Sequence, residues 1–478
     1  MRETLAAALA MLALTAMPAR AAAGPQLGTA QVSVQPQRVL ARMPETGIGA
    51  NTAAWDGHML DPSLPGLLRK AGVRMLRFPG GSTADLYHWR TNSLIAGHGR
   101  TDPRDTFPAF LGMARRTGAQ ALITVNYGSG SPEEAAAWVR QADRIDPSGV
   151  RYWEVGNEVY GDGAYGSAWE YDDHVAKGPV AYAENLLAYA RAMKAVDPDI
   201  EIGADLIAPG AWPDGIVLPG QTLDWNRTVL SIAGGAIDFV TIHWYPEDPK
   251  QPSDAALLGA PRTIPAAMAT LRWEIAQYCG DRAVQVVVSE TDSVPTSPGS
   301  QTVSPVSPLF LADDYASWLS VGALSVDWWD VHNGVTPDAR QDADDGGGPG
   351  YGSYGFLADG SCVRSTCEPR AETPLPAYRG LLMVARWIAP GDYLVAAGSD
   401  RADLVVHAAM SESGAISLLL INENASEALR VSLPSGLDGM ALRMDTYGQG
   451  GGGIGVDRVR GPTVRVAPYS LALITLDT

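Results

Sequence analysis

One stretch of the chain, residues 121–158, reads ALITVNYGSGSPEEAAAWVRQADRIDPSGVRYWEVGNE and carries a complete strand–helix–strand pattern. Its apolar segments at 121–126 and 151–157 predict two strands. Between them, Ser131 supplies an N-cap ahead of a proline, and this start signal predicts a helix that ends at Ile145. A strand, a helix and a second strand in this order are typical of a parallel βα unit.

The same alternation continues on both sides of this unit. The eight predicted strands are 46–51, 73–78, 121–126, 151–157, 200–205, 237–243, 284–290 and 324–330. Further helices are predicted at 180–196 and at 264–279, where Gly280 is the expected C-terminal stop. Eight strands with eight crossovers predict an α/β fold, a (β/α)8 TIM barrel over residues 46–390.

The periodicity changes after the barrel. Residues 391–478 alternate apolar and polar side chains between turn residues, with no intervening helix, and predict a C-terminal β-sandwich. Residues 24–45 precede the barrel, and the sequence leaves open whether their strands join that sandwich. Residues 1–23 combine Arg2, a short apolar run and small residues, a pattern typical of a cleaved signal peptide. We therefore expect a secreted or periplasmic protein.

Composition and charge exclude several classes of partner. The 478 residues include 35 Lys+Arg against 53 Asp+Glu, a formal net charge of −18, which argues against nucleic-acid binding. After the signal segment no run reaches the roughly 18 apolar residues that span a bilayer, so no membrane insertion is expected. The oligomeric state is unknown from the sequence.

Three cysteines are present. Cys362 and Cys367 lie in a Gly/Pro-rich loop, where an oxidising compartment would allow them to pair; the sequence leaves the pairing open. Cys279 is expected to be a buried, unreactive thiol.

Polar residues end every predicted barrel strand, and in such barrels the active site lies at the C-terminal strand ends. These residues are Asn51, Arg77, Asn126, Asn157 with Glu158, Asp205, His243 with Trp244 and Tyr245, Glu290, and Asp330 with His332. Glu158 and Glu290 follow strands four and seven, so they can face each other across the barrel mouth. Hydrolysis of a glycosidic bond uses such a carboxylate pair, and the distance between them, which the sequence leaves open, decides between retention and inversion.

Five motifs in chain order resemble those of clan A retaining glycoside hydrolases. WEVGNE at 153–158 resembles the strand-four Asn-Glu signature, and VSE at 288–290 resembles the strand-seven nucleophile segment. RFPGG at 77–81, VNYG at 125–128 and IHWY at 242–245 are similar to motifs of family 51 α-L-arabinofuranosidases and, more loosely, of families 39, 30 and 79. The resemblance covers nearly the whole chain after residue 23. It implies a retaining, arabinofuranosidase-like enzyme that acts on polysaccharide or oligosaccharide by double displacement.

Carried over by position, the resemblance implies that Glu158 is the general acid/base and Glu290 the nucleophile. It also implies that Asn157 binds the sugar 2-hydroxyl, that Tyr245 hydrogen-bonds Glu290 and that Arg77 steadies Glu290. Because Glu158 must start protonated, we expect burial or its negative partner to raise its pKa.

Other substrate contacts are expected at strand ends. The additional predicted substrate-binding residues are Asn51, Asn126, His243 and Trp329. The candidate sugar-stacking tryptophans are Trp55, Trp89, Trp212, Trp244, Trp328 and Trp329. Because Trp328 and Trp329 are adjacent, we expect one to face the mouth and the other to lie in the core.

The chain departs from the family 51 pattern after strand one. The family usually has a Glu there that binds the furanose, whereas this chain reads GANT at 49–52. A β-glycosidase or endo-glycanase of the same clan, acting on a xyloside, glucan or galactofuranoside, therefore stays open as an alternative. A non-catalytic carbohydrate-binding protein is a second alternative. In each case a carbohydrate is the expected partner, and no cofactor is expected.

A metal site has weaker support in the sequence. Asp205, His243, Asp330 and His332 lack the H-x-H or H-E-x-x-H spacing of metal sites, so no catalytic metal is expected. The loop at 333–373 is interpreted as a solvated acidic loop, with a Ca²⁺ site left open. Its acidic residues are Asp338, Asp342, Asp344 and Asp345.

Overall fold

The computed structural model describes residues 27–147, 149–337, 350–437, 439–448 and 450–477. The predicted signal peptide at 1–23 lies outside the described residues. The same holds for Asp338, Asp342, Asp344 and Asp345 of the acidic loop.

Eight parallel strands close into a barrel. In chain order they are Ile48–Asn51, Met75–Phe78, Gln120–Val125, Tyr152–Val155, Glu201–Ile207, Phe239–Trp244, Gln285–Thr291 and Ser325–Trp328. The eighth strand pairs with the first, with Val326 opposite Ile48. These strands are buried on both faces, which explains why they read as nearly continuous apolar runs. The predicted (β/α)8 barrel is confirmed.

Helices return the chain from each strand end to the start of the next strand. They are Leu64–Lys70, Phe107–Thr117, Pro132–Ile145, Pro179–Lys194, Trp225–Ala233, Asp254–Gly259, Ile264–Tyr278, Ser307–Ser320 and Pro376–Trp387. Ser131 accepts a hydrogen bond from the backbone N–H of Glu134 at 3.2 Å, so the predicted N-cap is present. Since every crossover returns the chain to the same edge of the barrel, the loops after the strands meet at one mouth.

Among the residues that the structure describes, nine further strands form a second, mostly antiparallel unit. They are Leu27–Arg42, Tyr393–Ser399, Leu404–Met410, Ile416–Asn422, Ala428–Ser432, Ala441–Gly448, Gly455–Arg460, Thr463–Val466 and Ser470–Leu476. The first strand belongs to two sheets, because residues 27–31 pair with Ala428–Ser432 and residues 32–42 pair with Tyr393–Ser399. Residues from both sheets, among them Leu420 and Val431, share one apolar core. The N-terminal segment thus joins the sandwich.

The sandwich packs against the last two helices of the barrel. Arg386 donates to Asp445 Oδ2 at 2.6 Å, and His407 Nε2 lies 2.7 Å from Asp313 Oδ1. Leu471 of the sandwich belongs to the same apolar cluster as the barrel core. The sandwich therefore supports the barrel on the side of its seventh and eighth units.

The structure decides the cysteine pairing that the sequence leaves open. Cys362 and Cys367 form a disulfide, and Cys279 is free and buried. Within the described residues, every helix is too short or too polar to cross a lipid bilayer.

Candidate active site

A cavity of about 810 Å³ lies at the C-terminal ends of the barrel strands. The predicted site residues that line it are Asn157, Glu158, His243, Tyr245, Glu290 and Trp329. The other side chains at its wall include Ser82, Tyr160, Trp169, Trp212, Glu247 and Asp248. The structure thus brings residues from the fourth, sixth, seventh and eighth strand ends into one chamber.

Arg77 lies under this cavity and is fully buried. Its guanidinium donates to Glu154 Oε2 at 2.7 Å and to Glu290 Oε1 at 2.7 Å. It also donates to Asn51 Oδ1 at 3.0 Å and to Asn157 Oδ1 at 2.7 Å. One cation therefore joins the first, second, fourth and seventh strands.

Arg77 can be buried as a cation because two of its partners, Glu154 and Glu290, carry the opposite charge. Burial favours the neutral form of Glu154, but the charges of Arg77 and His243, together with hydrogen bonds from threonine side chains, outweigh burial and lower the pKa of Glu154 below its usual value. Thr124 Oγ1 also donates to Glu154 Oε2, at 2.5 Å. Burial disfavours the charged form of Arg77 and so lowers its pKa. Glu154 and Glu290 together outweigh this effect and raise the pKa of Arg77 above its usual value.

Glu290 is held at both carboxylate oxygens. Arg77 donates to Oε1 of Glu290, and the Tyr245 hydroxyl donates to Oε2 at 2.6 Å. Burial and the charge of Glu290 raise the pKa of Tyr245 well above its usual value, so the phenol keeps its proton. Glu290 is thereby presented to the cavity in one orientation, as the sequence predicts.

Glu158 is also held at both oxygens, by different donors. His243 Nδ1 lies 2.8 Å from Oε1, and the Trp169 indole Nε1 donates to Oε2 at 2.5 Å. The backbone of Glu158 is in the left-handed region at φ 44°, a conformation that is uncommon for non-glycine residues and enriched at functional sites.

The expected rise in the pKa of Glu158 is wrong for the unliganded site. Burial does raise this pKa, but the charge of His243 and the hydrogen bonds from His243, Trp169 and Tyr160 together outweigh burial and leave it below its usual value. Burial lowers the pKa of His243, while the charges of Glu290 and Glu158 raise it above its usual value. In the free protein the proton shared by this pair therefore lies on the imidazole.

The two carboxylates are close together. A carboxylate oxygen of Glu158 and one of Glu290 lie within 4.8 Å of each other and of a His243 ring nitrogen. Retaining glycoside hydrolases have carboxyl groups about 5–5.5 Å apart, whereas inverting enzymes need about 6.5–9.5 Å to admit a water. The approach of these oxygens to within 4.8 Å is compatible with the shorter of the two separations.

Ligand atoms at this spacing also fit a divalent cation, but the guanidinium of Arg77 at Glu290 disfavours a second cation there. Another such group in the described part of the chain is Asp172, Asp173 and His174.

Two predicted substrate contacts, Asn51 and Asn126, lie outside the cavity lining and need correction. Asn51 donates to the carbonyl of Ser289 at 2.8 Å and accepts from Arg77. Asn126 Oδ1 accepts from the backbone N–H of Ser129 and of Gly130. Because protein groups already use these amides, Asn51 supports Arg77 and Asn126 closes a loop.

The adjacent residues Trp328 and Trp329 point to different environments, as their adjacency in the sequence predicts. Trp328 is buried, whereas Trp329 lines the cavity. Trp212 also lines it and is 50% exposed. Trp244 is a core residue that stacks on Phe310, with ring centroids 6.0 Å apart.

The metal candidates at the other strand ends have structural roles. Asp205 Oδ2 accepts from the backbone N–H of Val159 at 2.6 Å. His332 Nδ1 lies 2.9 Å from Asp56 Oδ2, and Asp330 accepts from the Asn333 amide.

Reasoning from strand ends missed Ser82, Glu154, Tyr160, Trp169 and Glu170. Glu154 lies inside a strand, Ser82 and Tyr160 lie in short 3-10 helices, and Trp169 and Glu170 lie in a loop. The available signal was the aromatic and acidic composition of the loop that follows Glu158.

Comparisons with known proteins agree with this geometry. No family model matches the chain. Over 231 residues, 41% of this chain and 42% of the relative, it is 28% identical to alpha-L-arabinofuranosidase C of Emericella nidulans. Over 225 residues, 41% of this chain and 31% of the relative, it is 27% identical to the intracellular exo-alpha-(1→5)-L-arabinofuranosidase of Streptomyces lividans. The matched part thus spans less than half the length of these curated relatives.

Solved structures share the fold over most of the chain. The α-L-arabinofuranosidase from Thermotoga maritima superposes with a TM-score of 0.70 at 17% identity, covering 94% of this chain and 100% of that one. The GH51 arabinofuranosidase from Xanthomonas axonopodis pv. citri gives 0.69 at 16% identity, with coverage of 94% and 100%. The matches in sequence and in fold confirm the resemblance to clan A glycoside hydrolases of the family 51 type.

The buried network predicts a large effect of removing its cation. Arg77→Met should lower the free energy of unfolding by about 3–5 kcal/mol, because Glu154 and Glu290 lose their buried partner. Arg115→Met is the control, since Arg115 is 54% exposed and lies 3.7 Å from Asp146; its effect should stay below about 1 kcal/mol. Urea unfolding followed by tryptophan fluorescence measures both, and equal effects would contradict the assignment.

Proposed function

We propose that this protein is a retaining glycoside hydrolase that releases α-L-arabinofuranosyl units from polysaccharide or oligosaccharide. The observation that carries the proposal is the approach of Glu158 and Glu290 to within 4.8 Å in one cavity. The names of the sequence relatives support the choice of arabinofuranoside.

In the first step, Glu290 attacks the anomeric carbon while Glu158 gives its proton to the glycosidic oxygen. The bond between these two atoms breaks, the leaving group departs as an alcohol, and the sugar stays on Glu290 as an ester. Arg77 and Tyr245 each hold one oxygen of Glu290, so the nucleophile needs no reorientation before it attacks.

In the second step, water replaces Glu290 at the anomeric carbon and Glu158 takes the proton of that water. The sugar is released with its original configuration after two inversions. Once Glu290 is esterified its negative charge is gone, which favours the carboxylate form of Glu158 that the second step needs.

His243 supplies the proton for the first step. It lies 2.8 Å from Glu158, and transfer along this bond converts an ion pair into a neutral imidazole and a protonated carboxyl. A bound sugar removes water from the pair and so favours the neutral form, because desolvation disfavours charge. The low pKa of Glu158 in the free protein is thus compatible with acid catalysis.

Removal of Glu158 and removal of Glu290 should have different effects on turnover and on the products formed with azide. Glu290→Ala should abolish turnover of aryl glycosides, and Glu158→Ala should lower kcat by about 10²–10⁴, the usual contribution of general acid–base catalysis. Azide should restore turnover in both variants and give a glycosyl azide of inverted configuration with Glu290→Ala and of retained configuration with Glu158→Ala. Glu133→Ala, at the start of a surface helix, is the control. Wild-type-like turnover in Glu290→Ala would refute the mechanism.

A screen of aryl glycosides identifies the sugar. We expect hydrolysis of the α-L-arabinofuranoside, with the β-D-xyloside, β-D-glucoside and β-D-galactofuranoside cleaved at least tenfold more slowly. Preference for one of these three would replace the arabinofuranoside assignment. Hydrolysis of a polysaccharide alone would indicate an endo-glycanase, and glycan binding without any hydrolysis would overturn the enzyme proposal.

We also propose that the protein is exported after removal of residues 1–23. The Cys362–Cys367 disulfide supports this, because disulfides persist mainly in oxidising compartments. Amino-terminal sequencing of the protein from periplasm or medium should begin near residue 24. Full-length chain with reduced cysteines in the cytoplasm would contradict export.

A further inference from the structure

Two consecutive residues, Trp169 and Glu170, touch the two consecutive residues Asn157 and Glu158. The Trp169 indole N–H donates to Glu158 Oε2 at 2.5 Å. Glu170 Oε1 accepts from Asn157 Nδ2 at 3.0 Å. The pair therefore contacts both side chains of the strand-four motif.

The backbone holds this pair in place. The N–H groups of Trp169 and Glu170 both donate to the carbonyl of Gly161, at 3.0 and 3.1 Å. The Trp169 indole covers Gly161 so closely that a Cβ there would lie 2.4 Å from a ring atom. Gly161 is thus required by the approach of the ring, and the loop is closed beside the catalytic dipeptide.

Glu170 is buried, and its environment keeps it neutral. Its Oε1 also accepts from the Ser82 hydroxyl, at 2.6 Å. Burial, with the nearby charges of Glu158 and Asp85, raises the pKa of Glu170 well above its usual value. A neutral Glu170 accepts the Asn157 hydrogen bond without adding a further negative charge to the site.

The Asn157 amide is held from both ends. Its Oδ1 accepts from Arg77 at 2.7 Å, and one of its two amide hydrogens points to Glu170. The side chain lines the cavity, so the second amide hydrogen is free to meet a bound sugar.

We propose that Trp169 and Glu170 are positioning residues for the proposed hydrolysis: the indole N–H holds Oε2 of Glu158, and Glu170 orients the Asn157 amide. The inference rests on the proposed function, because it assigns these contacts to the acid/base and to its sugar-binding neighbour.

Other ionisable groups also face Glu158. They are Tyr160, Glu170, Asp205, His243, Tyr245, Glu290 and Tyr354. Trp169→Phe leaves all of them in place and removes one N–H. Since a hydrogen bond to a carboxylate favours its charged form, this removal should raise the apparent pKa of the cluster.

The first test is the pH dependence of kcat/KM on the aryl glycoside that the wild type hydrolyses. The alkaline limb reports loss of the proton needed for acid catalysis, so Trp169→Phe should move it to higher pH by about half a unit to one unit. Trp273→Phe is the control: this tryptophan is 53% exposed on the helix Ile264–Tyr278, outside the cavity lining, and the alkaline limb of the variant should stay at the wild-type position.

The second test compares two variants of Glu170. Glu170→Ala should lower kcat roughly tenfold, the fold-change that corresponds to one good hydrogen bond. Glu170→Gln keeps a neutral acceptor for Asn157, so it should restore most of this kcat and leave the alkaline limb unmoved. A merely structural role would give both variants the same kcat.

The outcomes distinguish failure of the proposed hydrolase function from failure of the positioning roles of Trp169 and Glu170. A wild type that hydrolyses no glycoside overturns the proposed function and this inference with it. An active wild type whose alkaline limb does not move in Trp169→Phe, or moves equally in Trp273→Phe, overturns the role of Trp169 alone. Equal kcat in the two Glu170 variants overturns the role of Glu170.

Discussion

The site depends on the burial of one cation, Arg77, beneath the barrel mouth. Its hydrogen bonds reach Asn51, Glu154, Asn157 and Glu290 and so cross-link four strands. A buried guanidinium is stable only with anionic partners, and a buried carboxylate needs a cation in turn. The orientation of Glu290 is therefore tied to the integrity of the barrel, and the rigidity needed for catalysis comes from the fold.

Around this cation the two carboxylates differ in their donors. Glu290 is held by a guanidinium and a phenol that keep their protons, whereas Glu158 is held by an imidazole that can give its proton away. Both carboxylates lie in the same cavity and carry the same functional group. The neighbours of each one therefore give the two carboxylates different proton-exchange properties.

Much of the fold could be predicted because its signals are local. Apolar runs, the Ser131 cap and the glycine stop at Gly280 are read within a few residues of chain. Glu158, Glu290 and their partners at strand ends were singled out for a related reason, since a polar residue after a buried strand stands out. Asn51 and Asn126 were misjudged because a strand-end position does not show whether an amide is already engaged by the protein.

The amino-acid sequence by itself determined the barrel, the appended sandwich and the identity of the two carboxylates, because strand and helix periods and terminal polar residues are properties of short segments. Only the tertiary structure decided the distance between Glu158 and Glu290, the burial of Arg77 and the contacts of Trp169 and Glu170. Those features join strands and loops far apart in the chain. The protonation of Glu158 also depends on the tertiary structure, because its pKa is set by donors that the fold brings from other strands and loops.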